Sequence, residues 1–200
     1  PLQTTFQGRR VFTLPPPSAG GMILVQALGI LAHRMRTTDL VSAGPHGPDF
    51  LHVLIEALKH GFADRGRALG DPAFLPPPLA PLLEQEYLHQ LATRIRPDQT
   101  LPLEAYGMTT GPAGTPARDA GTAHLSVIDA EGNAVALTTT INLEFGAHLV
   151  AGSTGIVLNN EMDDFVLSEG QPDAFGLVGG RPNLVAPGKR PLSCMTPTIV

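Results

Sequence analysis

Two runs of alternating apolar and polar residues, joined by a glycine turn, constrain the fold most strongly. The runs are "AHLSVID" and "NAVALTTTI", and Ala130, Glu131 and Gly132 lie between them. A three-residue connection that ends in glycine is typical of a β-hairpin whose glycine takes the left-handed conformation of a bulge. The sequence from residue 123 to residue 141 therefore predicts an antiparallel hairpin.

The apolar residues also predict the register of this hairpin. Pairing Val127 with Val135 sets apolar partners opposite each other on one face, whereas a shift by one residue sets Val127 against Ala136. The preferred register places Thr122 opposite Thr140. Two hydroxyl groups are therefore expected to lie close together at the open end of the hairpin.

The threonine pair has both a structural and a chemical interpretation. Threonine is favoured in half-exposed strands, so the pair alone predicts only a strand. A threonine hydroxyl becomes a nucleophile beside a base, and an α-amino group with a pKa of about 7.7–8.0 is such a base. Cutting the bond between Gly121 and Thr122 would create that amine, and Gly121 offers an unhindered carbonyl and a backbone that tolerates strained angles.

The rest of the chain divides into a helical part and a strand-rich part. Helices are predicted from about Met22 to Arg36, with Ser18 as the N-cap, and over residues 50–69 and 81–95. Residues 96–121 are rich in Pro, Gly and Thr and predict an exposed linker. Further strands are predicted at residues 9–14, 155–160 and 194–200. This order predicts an α+β fold of two layers, with helices mainly before residue 96 and strands mainly after residue 122.

Composition and charge argue against several classes of function. The 200 residues are 42% hydrophobic and 16% charged, as in ordinary globular proteins. The formal net charge is −5 and no basic stripe occurs, which argues against nucleic acids and anionic membranes as partners. The longest apolar run, "GGMILVQALGILA", is shorter than the roughly 20 residues of a membrane span. Cys194 is the only cysteine, so an intrachain disulfide and CxxC zinc sites are excluded.

Other patterns carry little functional weight. His52, Glu56 and His60 recur every four residues, but without an HExxH motif they predict a polar helix face rather than a metal site. His124 is interpreted as structural. The run "MDD" lacks the alternating acids of an EF-hand, and "APGKRPLS" lacks the spacing of a phosphate loop. We therefore expect neither a metal nor an organic cofactor.

Several long motifs, in order along nearly the whole chain, resemble one enzyme family. "PPPSAGG", "IEALKHGFADR" and "LGDPAF" resemble the end of the large subunit of gamma-glutamyltranspeptidases. "TAHLSVIDAEGNAVALTTTINLEFG", "AGSTGIVLNNEMDDF" and "PGKRPLSCMTPTIV" resemble consecutive stretches of the small subunit. The resemblance implies an N-terminal nucleophile hydrolase, in which a precursor cuts itself before a threonine and both subunits remain in one αββα sandwich.

The resemblance also implies a division of this chain. Residues 1–121 would be the C-terminal part of the large subunit, ending in the mobile linker of residues 96–121. Residues 122–200 would be the N-terminal part of the small subunit, within the same structural domain. The family's oxyanion-hole glycines and its carboxylate-binding arginine have no counterpart in these residues. We therefore expect the chain to be a fragment whose two segments associate with each other and with further parts of a longer enzyme.

Roles follow for individual residues by resemblance. Thr122 would attack the γ-amide of glutathione or a related γ-glutamyl compound. The resulting ester would pass to water or to the amine of an amino acid or peptide. Thr140 would hydrogen-bond the nucleophile, and the predicted hairpin register independently places it there. The free α-amine of Thr122 would carry the proton.

The resemblance assigns the remaining candidates to substrate binding. Asn142, Glu161 and Asp164 would hold the α-ammonium group, which needs carboxylate and amide acceptors. Ser193 would hydrogen-bond the α-carboxylate. The family has a second serine where this chain has Cys194, and a thiol is a weaker donor than a hydroxyl.

Two other functions stay open at this point. One is a β-lactam side-chain acylase of the same superfamily, against which Glu161 and Asp164 argue because they suit a γ-glutamyl ammonium group. The other is a non-catalytic, unprocessed fragment or paralogue. The sequence decides neither between hydrolysis and transpeptidation nor between a periplasmic or extracellular and a cytoplasmic location.

Overall fold

The computed structural model describes residues 1–40, 44–108, 121–173 and 175–200. Residues 109–120 of the predicted mobile linker lie outside the described residues. The helices are α1 (Gly20–Thr37), α2 (Pro48–Ala68), α3 (Leu79–Leu83), α4 (Gln85–Arg94) and α5 (Leu103–Tyr106). The strands are β1 (Leu2–Phe6), β2 (Arg9–Thr13), β3 (Thr122–Ile128), β4 (Ala134–Thr140) and β5 (Thr198–Ile199). The fold is α+β, as predicted.

The predicted helices are present, with two corrections at their boundaries. The third divides into α3 and α4, because Glu84 takes an extended backbone conformation between them. The prediction that Ser18 caps α1 was wrong. Ala19 is the N-cap and makes no side-chain cap. The hydroxyl of Ser18 donates instead to the carbonyl oxygen of Met195.

Helix α1 lies at the centre of the main core. It packs against α2, α4 and β1. Met22 and Ile30 on this helix are fully buried. Gly29 approaches Leu88 of α4 so closely that a Cβ atom would collide with the leucine side chain. Burying one large aliphatic side chain stabilises a fold by about 1.5–3 kcal/mol, so these contacts fix the helices around α1.

A buried polar group joins the same helices. The side-chain amide of Gln26 donates to Asp64 Oδ2 at 2.7 Å and to the carbonyl oxygen of Leu82 at 2.9 Å. The hydroxyl of Tyr87 donates to the same carboxylate oxygen of Asp64 at 2.9 Å. These hydrogen bonds tie α1, α2 and α4 together, because a buried polar group without a partner is costly.

The strands form two separate antiparallel groups. One is a three-stranded sheet in the order β1-β2-β5, and the other is the hairpin β3-β4. The predicted hairpin register is confirmed, with Thr122 opposite Thr140 and Val127 opposite Val135. Gly132 has a φ of 85°, the left-handed conformation expected of the turn.

The two predicted strands after the hairpin are largely replaced by irregular structure. Residues 155–160 pair with residues 147–151 through three backbone hydrogen bonds and one isolated bridge, between Val150 and Val157. The chain then turns so that the N–H of Asn160 reaches the carbonyl oxygen of Ile141. Of residues 194–200, only β5 pairs in a sheet. Pro197 precedes β5 and has no N–H to donate to a sheet ladder.

Within the described residues, no helix combines the length and the apolar character that crossing a bilayer requires. The sequence likewise contains no apolar run of that length.

Candidate active site

A cavity of about 390 Å³ opens at the end of the β3-β4 hairpin. All seven side chains predicted for catalysis or substrate binding line it: Thr122, Thr140, Asn142, Glu161, Asp164, Ser193 and Cys194. These residues come from segments as far apart in sequence as residues 122 and 194. The fold therefore brings the whole predicted set of side chains around one volume.

The hairpin register determines the geometry of the threonine pair. Thr122 Oγ1 and Thr140 Oγ1 lie 2.9 Å apart. Thr140 Oγ1 also accepts a hydrogen bond of 2.9 Å from the backbone N–H of Asn142. Since this oxygen already accepts one hydrogen bond, the hydroxyl proton of Thr140 is available for donation to Thr122. Asn142 can approach in this way because its φ of 75° turns the chain sharply after β4.

Gly121, at the predicted cutting point, is packed tightly against the segment after β4. Its carbonyl oxygen accepts a hydrogen bond of 3.2 Å from the N–H of Ile141. A Cβ atom on Gly121 would lie 2.9 Å from the carbonyl oxygen of Leu143 and 3.0 Å from that of Asn142. Glycine is therefore required for close backbone approach, in addition to leaving its carbonyl unhindered.

His124 makes its hydrogen bonds within the hairpin. Its Nδ1 lies 2.7 Å from Thr138 Oγ1, and its Nε2 lies 3.2 Å from Ser126 Oγ. Thr138 also lines the cavity. The histidine thus contacts the wall of the site through Thr138.

A network of asparagines joins the hairpin to the acidic segment. The side chain of Asn142 donates to the carbonyl oxygen of Asn160 at 3.2 Å, and Asn160 Oδ1 accepts from the N–H of Leu143 at 3.0 Å. Asn160 Nδ2 in turn donates to Asp163 Oδ2 at 2.7 Å. These bonds position the 3₁₀ helix Glu161–Asp164, which immediately follows, beside the threonine pair.

The acidic side chains in the cavity are electrostatically coupled. Asp164 is 8% exposed, and this burial raises the pKa of its carboxyl group to about 7. Glu161 adds to the rise in pKa through hydrogen bonding and repulsion, whereas the carboxamide of Asn142 opposes it. The carboxylate form of Asp164 would gain from a cation in the cavity, so the site is suited to an ammonium group.

The segment that contains Ser193 and Cys194 is held by the loop before α1. The N–H of Ser193 donates to the carbonyl oxygen of Pro17 at 2.9 Å, and its carbonyl oxygen accepts from the N–H of Ala19 at 2.7 Å. Gly20 contacts the backbone of Cys194, where a side chain would collide. The motif "PPPSAGG" therefore positions the predicted carboxylate-binding residues.

Two buried residues that the sequence interpretation missed support the same segment. Asp71 accepts hydrogen bonds from the guanidinium group of Arg190 at 2.7 and 3.1 Å and from its backbone N–H at 2.9 Å, and these hydrogen bonds hold the pKa of Asp71 well below its usual range. Asn183 donates to the carbonyl oxygen of Asp164 at 2.7 Å and accepts from the N–H of Leu192 at 3.1 Å. Asp71 lies in the motif "LGDPAF", which could have indicated its importance, whereas Asn183 lies outside the motifs that resemble the family.

The three residues considered as metal ligands make other contacts. His52 Nε2 lies 2.7 Å from the carbonyl oxygen of Arg96, and the carboxylate of Glu56 accepts from the hydroxyl of Tyr106. The ring of His60 packs on that of Tyr106 with their centres 4.9 Å apart. In the part of the chain that the structure describes, no group of three or more His, Cys, Asp or Glu residues could hold a metal ion.

Comparison with known sequences matches the whole chain to one family. The sequence profile described as Gamma-glutamyltranspeptidase matches residues 1–200. The chain is 42% identical to the "Glutathione hydrolase proenzyme" of Escherichia coli (strain K12) over 200 residues, which are 100% of this chain and 33% of that protein. It is 45% identical to "Glutathione hydrolase 2" of Arabidopsis thaliana over 206 residues, covering 100% of this chain and 34% of that protein. The chain thus spans about a third of the length of these curated relatives.

Comparison with solved structures finds a protein of similar fold. The chain is 25% identical to the cephalosporin acylase from Bacillus halodurans, with a TM-score of 0.71. The match covers 99% of this chain and 31% of that one. The fold therefore belongs to the N-terminal nucleophile hydrolase type that the resemblance implied.

Proposed function

The chain belongs to the gamma-glutamyltranspeptidase family, and from this premise we propose that the protein containing it is a self-processing γ-glutamyl transferase or hydrolase. The observation that carries the proposal is the contact of 2.9 Å between Thr122 Oγ1 and Thr140 Oγ1, beside a cavity rich in ammonium acceptors. Thr122 is the proposed nucleophile in both self-cleavage and turnover.

Self-cleavage would begin with attack of the Thr122 hydroxyl on the carbonyl carbon of Gly121. The C–N bond between the two residues then breaks, and an ester replaces the amide. Water hydrolyses the ester, leaving a carboxylate on Gly121 and a free α-amine on Thr122. The N–H of Ile141, which donates to the Gly121 carbonyl oxygen at 3.2 Å, would stabilise negative charge on that oxygen during attack.

Turnover would use the same hydroxyl with its new neighbouring base. The α-amine of Thr122 accepts the hydroxyl proton as the oxygen attacks the γ-carbonyl carbon of the substrate. The proton passes to the departing amine, and a γ-glutamyl ester remains on Thr122. Water releases glutamate from this ester, or an acceptor amine takes the γ-glutamyl group. Donation from Thr140 would orient the attacking oxygen.

The substrate's α-ammonium group is proposed to bind Asn142, Glu161 and Asp164. Its α-carboxylate is proposed to bind the hydroxyl of Ser193, with Cys194 as a weaker contact. Burial of Asp164 supports this assignment, because an ionic partner in a partly desolvated site is attracted more strongly than in water. Glutathione and related γ-glutamyl compounds carry these two groups at one end.

Residues 1–121 and 122–200 are proposed to be parts of the large and small subunits of one domain. Contacts across the proposed cutting point support their staying together. Asp71 binds Arg190, and Pro17 binds the backbone of Ser193. These hydrogen bonds do not depend on the bond between residues 121 and 122.

A β-lactam side-chain acylase is the second candidate, and the similarity in fold to a cephalosporin acylase favours it. Both candidates would use Thr122. They differ in the charge that the cavity must accept. A γ-glutamyl group carries an ammonium group, whereas a glutaryl side chain, which is the same chain without the amine, does not. The paired acids Glu161 and Asp164 therefore favour the γ-glutamyl substrate.

The test compares Asp164→Asn with the wild type in the matured, full-length protein. With γ-glutamyl-p-nitroanilide we expect kcat/KM to fall by about 100-fold, because a charge-assisted hydrogen bond is lost. Hydrolysis of a glutaryl β-lactam should not fall. Asp98→Asn, at an exposed residue, is the matched control. Unchanged activity of Asp164→Asn on the γ-glutamyl substrate would contradict the proposal.

A further inference from the structure

Arg65 on α2 lines the same cavity as Thr122 and Asp164. Its side chain is only 5% exposed. Its Nε atom is buried and has no hydrogen-bond partner among the described residues. Its counter-ion is Asp173, whose Oδ2 lies 3.6 Å from Arg65 Nη2. Among the described residues, the guanidinium group is thus a buried charge whose ionic partner is one carboxylate.

Asp173 organises a wall of the cavity through its other oxygen. Asp173 Oδ1 accepts hydrogen bonds of 2.9 Å from the backbone N–H groups of Phe175 and Leu177. The N–H of Asp173 also donates to the carbonyl oxygen of Leu177 at 2.9 Å. Phe175 and Leu177 both line the cavity. The orientation of Asp173 therefore determines where this apolar wall lies.

The charge of Asp173 also acts on the acid site. Together with burial and Glu161, it raises the pKa of Asp164. Burial raises the pKa of Asp173 itself, and the guanidinium group of Arg65 lowers it. Among the described residues, the charged or titratable side chains that line the cavity with Asp164 are Arg65, Glu161 and Cys194. Asp173, the ionic partner of Arg65, also acts on Asp164, and cleavage would add the α-amine of Thr122.

We propose that Arg65 is a positioning residue for the ammonium site: it orients Asp173, and with it the wall of Phe175 and Leu177, and offsets the Asp173 charge that acts on Asp164. This inference rests on the proposed γ-glutamyl function. It also gives α2 a role in the substrate site, because Arg65 lies on that helix. Arg65 and Asp173 lie on opposite sides of the proposed cutting point.

Arginine suits this position better than lysine would. Its guanidinium group is always charged and is more weakly hydrated than an ammonium group, so its burial is less costly. Removing either partner of a buried pair leaves a charge without compensation. Arg65→Met should therefore leave the Asp173 charge unopposed, whereas Asp173→Asn should leave an unopposed positive charge. The two changes act on Asp164 with opposite sign.

The test measures KM and kcat for γ-glutamyl-p-nitroanilide from pH 5 to 9 in the matured, full-length protein. For Arg65→Met we expect the midpoint of 1/KM against pH to move up, and KM at pH 7 to rise about 3- to 10-fold with kcat changed much less. For Asp173→Asn we expect the midpoint to move down. Arg65→Lys should stay near the wild-type midpoint, and Arg36→Met, at an exposed arginine, is the matched control.

Two results would overturn the inference while leaving the proposed function intact. One is a midpoint that stays at the wild-type value in both variants, although the wild type is active. The other is a midpoint that shifts in the same direction in both variants. If Arg65→Met fails to fold, the Asp173→Asn midpoint decides, and an unchanged or higher value counts against the inference. A matured wild type without γ-glutamyl activity would instead contradict the proposed function.

Discussion

The hydroxyl oxygens of Thr122 and Thr140 lie 2.9 Å apart, although 18 positions separate the two residues in the chain. They are opposite each other at the open end of the β3-β4 hairpin. The N–H of Asn142 donates a hydrogen bond of 2.9 Å to the Thr140 oxygen. The bond from Asn142 holds the Thr140 oxygen in place, and both threonines line the cavity.

Removing the Thr140 hydroxyl should impair catalysis more than folding. For Thr140→Val we expect kcat on γ-glutamyl-p-nitroanilide to fall by about 10- to 100-fold, because the developing charge on Thr122 loses one donor. Thr140→Ser keeps the hydroxyl and should retain most of the activity. Thr139→Val alters the exposed neighbour on the opposite face and is the control. Equal loss in Thr139→Val and Thr140→Val would contradict a specific role for Thr140.

Substrate binding should depend on the ionisation of Asp164. Burial raises the pKa of its carboxyl group to about 7 in the free site, and an ammonium ligand binds only the ionised form well. KM for γ-glutamyl-p-nitroanilide should therefore rise as the pH falls through 7 and level off above it. In Asp164→Asn this dependence should disappear. A wild-type KM that is constant between pH 5 and 8 would contradict the assignment.

Cys194 should limit binding of the substrate's α-carboxylate. A thiol donates a weaker hydrogen bond than a hydroxyl, so Cys194→Ser should lower KM by about 2- to 10-fold with little change in kcat. The measurement is the KM for a γ-glutamyl anilide at constant pH. Cys194→Ala provides the comparison, because it removes the donor altogether. If serine and alanine give the same KM, residue 194 does not bind the carboxylate.

Tyr106 should stabilise the folded protein through Glu56. Its hydroxyl donates to the buried Glu56 carboxylate and lies 3.1 Å from Thr100 Oγ1. Burial raises the pKa of Glu56, but hydrogen bonds from Lys59, Tyr106 and Thr100 together lower it by more, so the pKa lies below its usual value.

We expect Tyr106→Phe to reduce the free energy of unfolding by about 1–3 kcal/mol at pH 7. Because the folded-state pKa of Glu56 is lowered, this contribution is present above the unfolded-state pKa and is lost as the pH falls through the folded-state value. Urea unfolding at pH 7 and at low pH measures the difference. A loss that is equal at both pH values would contradict a role through the Glu56 carboxylate.

The parts of the site that local sequence patterns encode could be predicted. Alternation around Gly132 determined the register that pairs Thr122 with Thr140, because a slip by one residue exchanges the two faces. The apolar periodicity likewise predicted α1 and α2. The resemblance to known motifs supplied Glu161, Asp164 and the Ser193 segment, which no local pattern linked to the hairpin.

The contacts that depend on tertiary structure could not be predicted in this way. Ser18 precedes an apolar helix as an N-cap would, yet its hydroxyl binds Met195, which is 177 positions away in the chain. Arg65 and Asp173 form an ion pair between two distant segments, and no sequence pattern relates their positions. Residues 155–160 have the sequence pattern of a strand, but their backbone turns so that the N–H of Asn160 donates to the carbonyl oxygen of Ile141.

The state of the bond between Gly121 and Thr122 tests the central claim most directly. Intact-mass spectrometry of the freshly purified, full-length protein containing this chain, followed over time, measures it. We predict two polypeptides, the second beginning with Thr122, and a single uncut polypeptide for Thr122→Ala. A wild-type protein that hydrolyses γ-glutamyl-p-nitroanilide while its chain remains uncut at this bond would contradict the account.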